Sequence, residues 1–283
     1  MKLPKDIHLW LTQTLSINHY KIEPVAGGCI NQAFKLSLDD GNTFFLKYNH
    51  SAKPSMFEAE ARGLGAFNQQ VKTFAPSVLA YSEQALLLEY LSPANPSEAY
   101  WRELGRNLAQ LHHQTFESFG FHNDNFCGLT PQINQFTKNG YAFFAEFRLN
   151  HQAQLAFEGG LISNKLLANI DLISSKLDSW IPEMPAVLIH GDLWSGNVMS
   201  TQGGAKIFDP ACYYGWAEAE LAMSCLFGGF DKAFYQSYEA NSGLRKDWRE
   251  RVPLYNLYHL LNHVNLFGGG YLPQVKDVVR RFL

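Results

Sequence analysis

The chain is poor in charge and poor in cysteine. Only 17% of its 283 residues are Asp, Glu, Lys or Arg, and the formal net charge is -3. Without a basic excess it lacks the electrostatic footprint of nucleic-acid or membrane-surface binding, so neither partner is expected. Its four cysteines, Cys29, Cys127, Cys212 and Cys225, stand far apart and none forms a C-x-x-C pair. That spacing argues against a zinc ribbon or a disulfide framework and for free thiols in a reducing compartment. No run approaches the roughly 20 apolar residues of a membrane helix. The opening stretch MKLPKDIHLWLTQTL has no long apolar core and no small-residue cleavage site, which makes it a poor signal peptide. A cytoplasmic location is the expectation. There is no internal repeat and no low-complexity segment. Apolar residues, by contrast, make up 46% of the chain and aromatics 14%, enough for one large domain or two lobes with real cores.

The pattern of those apolar residues changes along the chain. Residues 5–16 read as a short amphipathic helix. HYKIEPV, QAFKLSL and TFFLKY follow as alternating, aromatic-rich runs separated by Gly27-Gly28 and by DDGN, the signature of antiparallel meander strands. Residues 55–70 place Phe57, Ala61, Leu64 and Phe67 at helical spacing behind a possible Ser55 cap. SVLAYS and ALLLEYL are two more strands. At SPANPSE, residues 92–98, the composition turns to Pro, Ser and Asn. Beyond it helices dominate, over about 97–113, 139–157, 162–180, 217–241 and 247–267. The expected fold is α+β and bilobal, with a β-rich lobe over 1–91 and a larger, mainly helical lobe over 92–283. Clefts between lobes are favoured ligand sites.

The stretch LIHGDLWSGNVM carries the chemistry. It sets His190, Asp192 and Asn197 in a loop between apolar runs, and Asp209 follows in AKIFDPA. Singly, each is ordinary turn punctuation. Together they match the needs of phosphoryl transfer, which are a carboxylate beside the acceptor hydroxyl and hard oxygen ligands for Mg²⁺. Asp192 is the candidate base. Asn197 and Asp209 are the candidate metal ligands, holding the magnesium of Mg·ATP. Lys47, late in the third strand, is the candidate phosphate-contacting lysine. It needs a carboxylate partner on the next helix, where Glu60 is preferred and Glu58 is the alternative. The backbone from Glu89 to Leu91 is where an adenine edge would bond. Gly27 and Gly28 would let backbone N–H groups approach phosphate.

These residues resemble the aminoglycoside/choline-kinase branch of the protein-kinase-like fold, and within it the fructosamine (ketosamine-3-) kinase family. The resemblance rests on GGCIN, FLKYN, MFEAEARGL, HGDLWSGNV, FDPACYYGWAEAELAM, LFGGF and LYHLLNHVNLFGGGY, and so covers nearly the whole chain. It implies ATP-dependent phosphorylation of the 3-hydroxyl of a ketosamine, a fructosamine- or ribulosamine-type glycation adduct. The phosphorylated adduct then breaks down and frees the amine. The acceptor would be a small ketosamine or a glycated protein amine, and the enzyme a monomer or a homodimer. One departure stands out. Ala217 occupies the position before Glu218 where many bacterial relatives would carry a basic residue, which argues against a local salt bridge there.

On the acceptor side, Trp194 is placed to stack on a sugar face. His263, with Phe267 beside it, would form a helix wall of the same pocket. His259 and His263 are one helical turn apart but lack the glutamate of H-E-x-x-H and an evident third ligand, so they are not read as a metal site. Cys29, at the glycine turn, would contact the nucleotide and is a possible redox handle. Two other readings remain open: a kinase for another hydroxyl, as in aminoglycosides or choline, and a nucleotide-binding pseudokinase.

Overall fold

A computed structural model of the chain describes residues 3–25 and 31–283. Gly27, Gly28 and Cys29, the proposed phosphate lid and redox handle, lie outside the described residues.

The helix α1, Lys5–Leu15, is followed by β1 (Lys21–Pro24), β2 (Gln32–Ser37) and β3 (Thr43–Tyr48), then by α2 (Met56–Gln70), β4 (Val78–Tyr81) and β5 (Ala85–Glu89). The strands form one antiparallel sheet in the order β1-β2-β3-β5-β4. Strand periodicity divides its side chains between two layers. Phe34, Leu36, Leu46, Tyr48, Ala85 and Leu87 join Ile7 and Leu11 of α1 in one small core. Leu86 and Leu88 face the other way, onto Phe57, Leu64 and Phe67 of α2, in a core that runs on into the helical part of the molecule. Lys47 falls between Leu46 and Tyr48, so the same alternation turns it towards α2.

The chain leaves the sheet at Glu89 and is fastened almost at once. Ala94 donates its N–H to Ser200 O at 2.8 Å, and Pro93 bridges to Thr201. The helical part then opens with α3 (Glu98–His112), whose N-cap Ser97 accepts from Tyr100 N. Short strands β6 (Thr115–Phe116), β7 (Asn125–Cys127) and β8 (Thr130–Gln132) precede α4 (Gly140–Phe144), a π-helical turn over residues 145–150, α5 (His151–Glu158) and α6 (Asn164–Ser174). Next come β9 (Ala186–Ile189), the hairpin of β10 (Val198–Thr201) with β11 (Gly204–Ile207), and β12 (Tyr213–Gly215). The remaining helices are α7 (Ala217–Leu226), α8 (Lys232–Asn241), α9 (Trp248–Phe267) and α10 (Leu272–Phe282).

Several sequence expectations change here. Ser55 precedes α2, but its side chain makes no capping bond. The helix expected over 217–241 is two helices, broken where Gly228 and Gly229 take φ of 89° and 75°. The last helix, α10, is an addition to the expected set, although its buried face of Val275, Val278, Val279 and Phe282 follows helical spacing. Among the described residues no helix is long and apolar enough to cross a membrane.

Candidate active site

The loop after β9 is held from behind before it offers anything to the cleft. Glu220, fully buried on α7, accepts the N–H of His190 on one carboxylate oxygen and the N–H of Gly191 on the other, the latter at 3.2 Å. Burial pushes its carboxyl up to about 8, against the pull of the two N–H bonds. Gly191 has φ of +78°, and a Cβ there would come within 2.2 Å of Ala211 O, so only glycine fits this turn. His190 is also fully buried, stacked on Phe67 with ring centroids 5.9 Å apart. Its Nδ1 accepts the Asp192 N–H at 3.3 Å, which makes Nε2 the protonated nitrogen, 2.9 Å from Phe208 O. Burial lowers the imidazole to about 4, so the ring is neutral and fixed in that tautomer. One side chain thus ties the Asp192 loop to the segment carrying Asp209.

Asp192 and Asn197 then lock to each other. The Asn197 amide nitrogen donates to Asp192 O at 2.8 Å and to Asp192 Oδ2 at 3.1 Å. With its nitrogen committed, the amide has its carbonyl oxygen left as an acceptor. Enclosure by protein pushes the Asp192 carboxyl up to about 7, and the Asn197 bond opposes that rise. A carboxyl poised there is suited to take a proton near neutral pH.

Asp209 lies in a turn with φ of +58°, a left-handed conformation that an aspartate tolerates better than most residues. Its carboxylate pairs with Lys47 Nζ. Lys47, only 7% exposed, also bonds Glu60 Oε1 at 2.6 Å. Glu58 is turned away and pairs with Arg62 on its own helix at 2.6 Å. The geometry thus couples Lys47 to Glu60 rather than to Glu58. A second glycine permits this convergence. A Cβ at Gly63 of α2 would lie 2.9 Å from Cys212 Sγ and 3.0 Å from a Pro210 carbon, so a bare backbone lets α2 pack against the segment just after Asp209.

At the end of β5 the Glu89 N–H is spent on Ser77 O at 2.9 Å, and its carboxylate accepts Ser77 N–H at 3.1 Å. An adenine edge would therefore have to use other backbone groups between Glu89 and Leu91.

The acceptor side is aromatic. Trp194 is 37% exposed, so its ring is not part of the core. It stands edge-on to Phe227 at 6.0 Å, and Phe227 contacts His263 at 4.9 Å. His263 touches both Phe267 and Tyr271, at 5.5 and 4.9 Å. Phe227 and Tyr271 escaped the sequence reading. They sit just beyond helix ends with no periodic signal, although the glycines beside them were visible. Glu218 finds its ion partner elsewhere in the chain. Despite Ala217 it has a salt bridge, formed with Arg251 of α9 at 2.6 and 2.7 Å.

A paired lysine, a buried asparagine locked to an aspartate and an aspartate in a strained turn, all at one cleft, form a phosphotransferase arrangement. The fructosamine kinase family profile matches residues 5–283. The chain belongs to the fructosamine kinase family. The "probable ketoamine kinase" of Synechocystis sp. is 41% identical to it, over 92% of this chain and 89% of the relative. The chloroplastic protein-ribulosamine 3-kinase of Arabidopsis thaliana is 36% identical over 96% and 86%. Among solved structures, a candidate fructosamine-3-kinase from Thermobifida fusca superposes with a TM-score of 0.90, at 29% identity and covering 98% of each chain. The streptomycin–ATP complex of the aminoglycoside phosphotransferase APH(2'')-IIa reaches 0.68 at 13% identity, covering 99% and 97%, which shows a shared fold alone. The fructosamine kinase member described here therefore has the α+β, protein-kinase-like architecture expected from its sequence.

Proposed function

We propose that this family member phosphorylates the 3-hydroxyl of ketosamines with ATP as donor, starting the release of the amine from a glycation adduct. The observation that carries the reading is the convergence of Lys47, Glu60 and Asp209 beside the Asp192–Asn197 pair. The names of the relatives point the same way. On this reading residues 1–91 form the nucleotide lobe and residues 92–283 the catalytic and acceptor lobe.

Lys47, oriented by Glu60, neutralises phosphate oxygens. Asp192 accepts or orients the proton of the attacking hydroxyl. The Asn197 oxygen and the Asp209 carboxylate are a hard-oxygen donor set that suits Mg²⁺. The cation would supply charge neutralisation at the transferring phosphoryl group. Trp194, His263 and Phe267, joined by Phe227 and Tyr271, form the face that receives the sugar. None of these five side chains is a carboxylate, so the wall offers no acidic cluster to a polycationic aminoglycoside or to choline. Every part of the transfer machinery is present, against the pseudokinase reading.

The decisive experiment is a panel of ketosamines, aminoglycosides and choline assayed with Mg·ATP, in the wild type and in Asp192→Asn. Ketosamines should be the preferred acceptors. The variant should lose about 10²-fold or more in kcat and keep its affinity for a non-hydrolysable ATP analogue. Near-normal turnover in the variant, or no transfer to any ketosamine, rejects the proposal.

A further inference from the structure

Beside Asp192 the fold gathers two ligand atoms that the reaction does not use. Cys127 ends β7 and His259 lies midway along α9, far apart in sequence. Yet ligand atoms of Cys127, Asp192 and His259 all fall within 4.8 Å of one another. Cys127 and His259 are 2% and 4% exposed. His259 Nδ1 has no hydrogen-bond partner, a costly condition for a buried polar atom. The Cys127 sulfur is approached by Asn262 Nδ2 at 3.3 Å.

The supports of this cluster are fixed. Gln132, on the strand paired with β7, donates to Asn125 Oδ1 at 2.7 Å and accepts from Tyr258 OH at 2.6 Å. Asn125 in turn donates to Cys212 O at 2.7 Å. Hairpin, α9 and the post-Asp209 segment are thus bolted together around the three ligands. Asp192 is half-buried, the most accessible of the three.

We propose that Cys127, Asp192 and His259 form a binding site for a zinc-class divalent cation, and that loading it withdraws Asp192 from phosphoryl transfer. The inhibitory half of this proposal rests on the reading of Asp192 as the base. One sulfur, one imidazole nitrogen and one carboxylate oxygen are a borderline-soft set that favours Zn²⁺ over Mg²⁺. Bond lengths near 2.0–2.3 Å put tetrahedral ligand atoms about 3.3–3.8 Å apart, so side-chain closure of roughly an ångström completes the site, with water in the fourth position. Binding releases the Cys127 thiol proton to solvent. The resulting thiolate and the Asp192 carboxylate together neutralise the cation. Of the histidine pair on α9 only His259 belongs to the group, and the other two ligands come from a hairpin and a loop distant in sequence.

The test titrates metal-free protein with Cd²⁺ in a large excess of Mg²⁺ and follows the ultraviolet thiolate-to-cadmium absorption. Zn²⁺ is then used as competitor and as inhibitor of the kinase assay. We expect one equivalent of Cd²⁺, displaced by Zn²⁺, and no such absorption in Cys127→Ser. In His259→Gln, Zn²⁺ affinity should fall at least about 10-fold, the loss that even an outer-shell partner brings. Zn²⁺ inhibition should be reversed by chelator and weakened by the same factor in both variants. A thermal shift with Mg·ATP verifies that each variant is folded, and Cys127→Ala replaces the serine variant if it is not. Undiminished absorption in Cys127→Ser, or undiminished zinc affinity in His259→Gln, overturns the site. Cys127-dependent binding that leaves wild-type turnover unchanged overturns the inhibition and with it the role of Asp192, while the site itself stands.

Discussion

Two ion-pair centres serve this molecule in opposite ways. Arg251 meets Glu218 through two parallel bonds, both side chains are nearly inaccessible, and Tyr255 OH adds a third contact to the carboxylate at 3.2 Å. Lys47 is shared between two carboxylates, Glu60 on α2 and Asp209 beyond β11, and Asp209 is 37% exposed at the cleft. The first pair is sealed in the core between α7 and α9, with Asp247 a further partner of Arg251 at 3.0 Å. The second is open, and on the proposed function its lysine and Asp209 would exchange each other for phosphate and cation. A two-bond pair with a fully buried carboxylate stabilises a fold, whereas a lysine held by single contacts to two carboxylates is more readily recruited for chemistry. Charge and burial alone would not separate them.

The largest expected effects test that contrast directly. Arg251→Met should cost about 3–5 kcal/mol in a denaturant titration, because it leaves Glu218 buried without its partner. The folded fraction should retain near-normal kcat/KM. Lys47→Met should do the reverse, lowering kcat/KM by about 10²-fold or more with a smaller loss of stability. If Lys47→Met proves the more destabilising of the two, the contrast is broken. Next comes Glu220→Gln. The Glu220 pKa is raised on folding, from 4.5 to about 8, so the folded protein retains a proton that the unfolded chain releases. Its contribution is complete below about pH 4.5 and is lost as pH rises towards 8. Relative to Glu220→Gln, the wild type should lose a few kcal/mol of stability across that window, followed by melting in the absence of nucleotide. A flat difference would place Glu220 with the closed, charged type of centre. Trp194→Ala should raise the acceptor KM several-fold with little change in the KM for ATP, in line with the ~1 kcal/mol of one aromatic contact. Smallest of all, Glu58→Gln should change neither stability nor turnover measurably, since its Arg62 partner is an exposed helix neighbour.

Much of this was legible in the chain itself. The alternation in TFFLKY placed Lys47 on one face of a sheet, and the spacing of Asp192, Asn197 and Asp209 picked out a loop and a following turn that the fold brings side by side. Those signals are local, set by strand period and loop length. Glu60 and Glu58 are both helical carboxylates two positions apart, and only the rotation of α2 against the sheet separates them. Glu220 reads as one more acidic residue in a helix until the loop it brackets is in view. Arg251 was hidden for the same reason, since its partner lies 33 residues earlier. Cys127 and His259 have no local signal at all, because their neighbourhood is made by packing. The break between α7 and α8 was written in two glycines, yet apolar periodicity on either side masked it.

Gly63 gives the last of these contacts a practical meaning. It is a clearance, and the distance it sets lies between the helix of Glu60 and the chain that carries Asp209. A single methyl group there would act as a shim, easing the two carboxylates of Lys47 apart without altering any charge. Grip on the nucleotide could then be tuned by volume alone, from a residue that touches neither substrate.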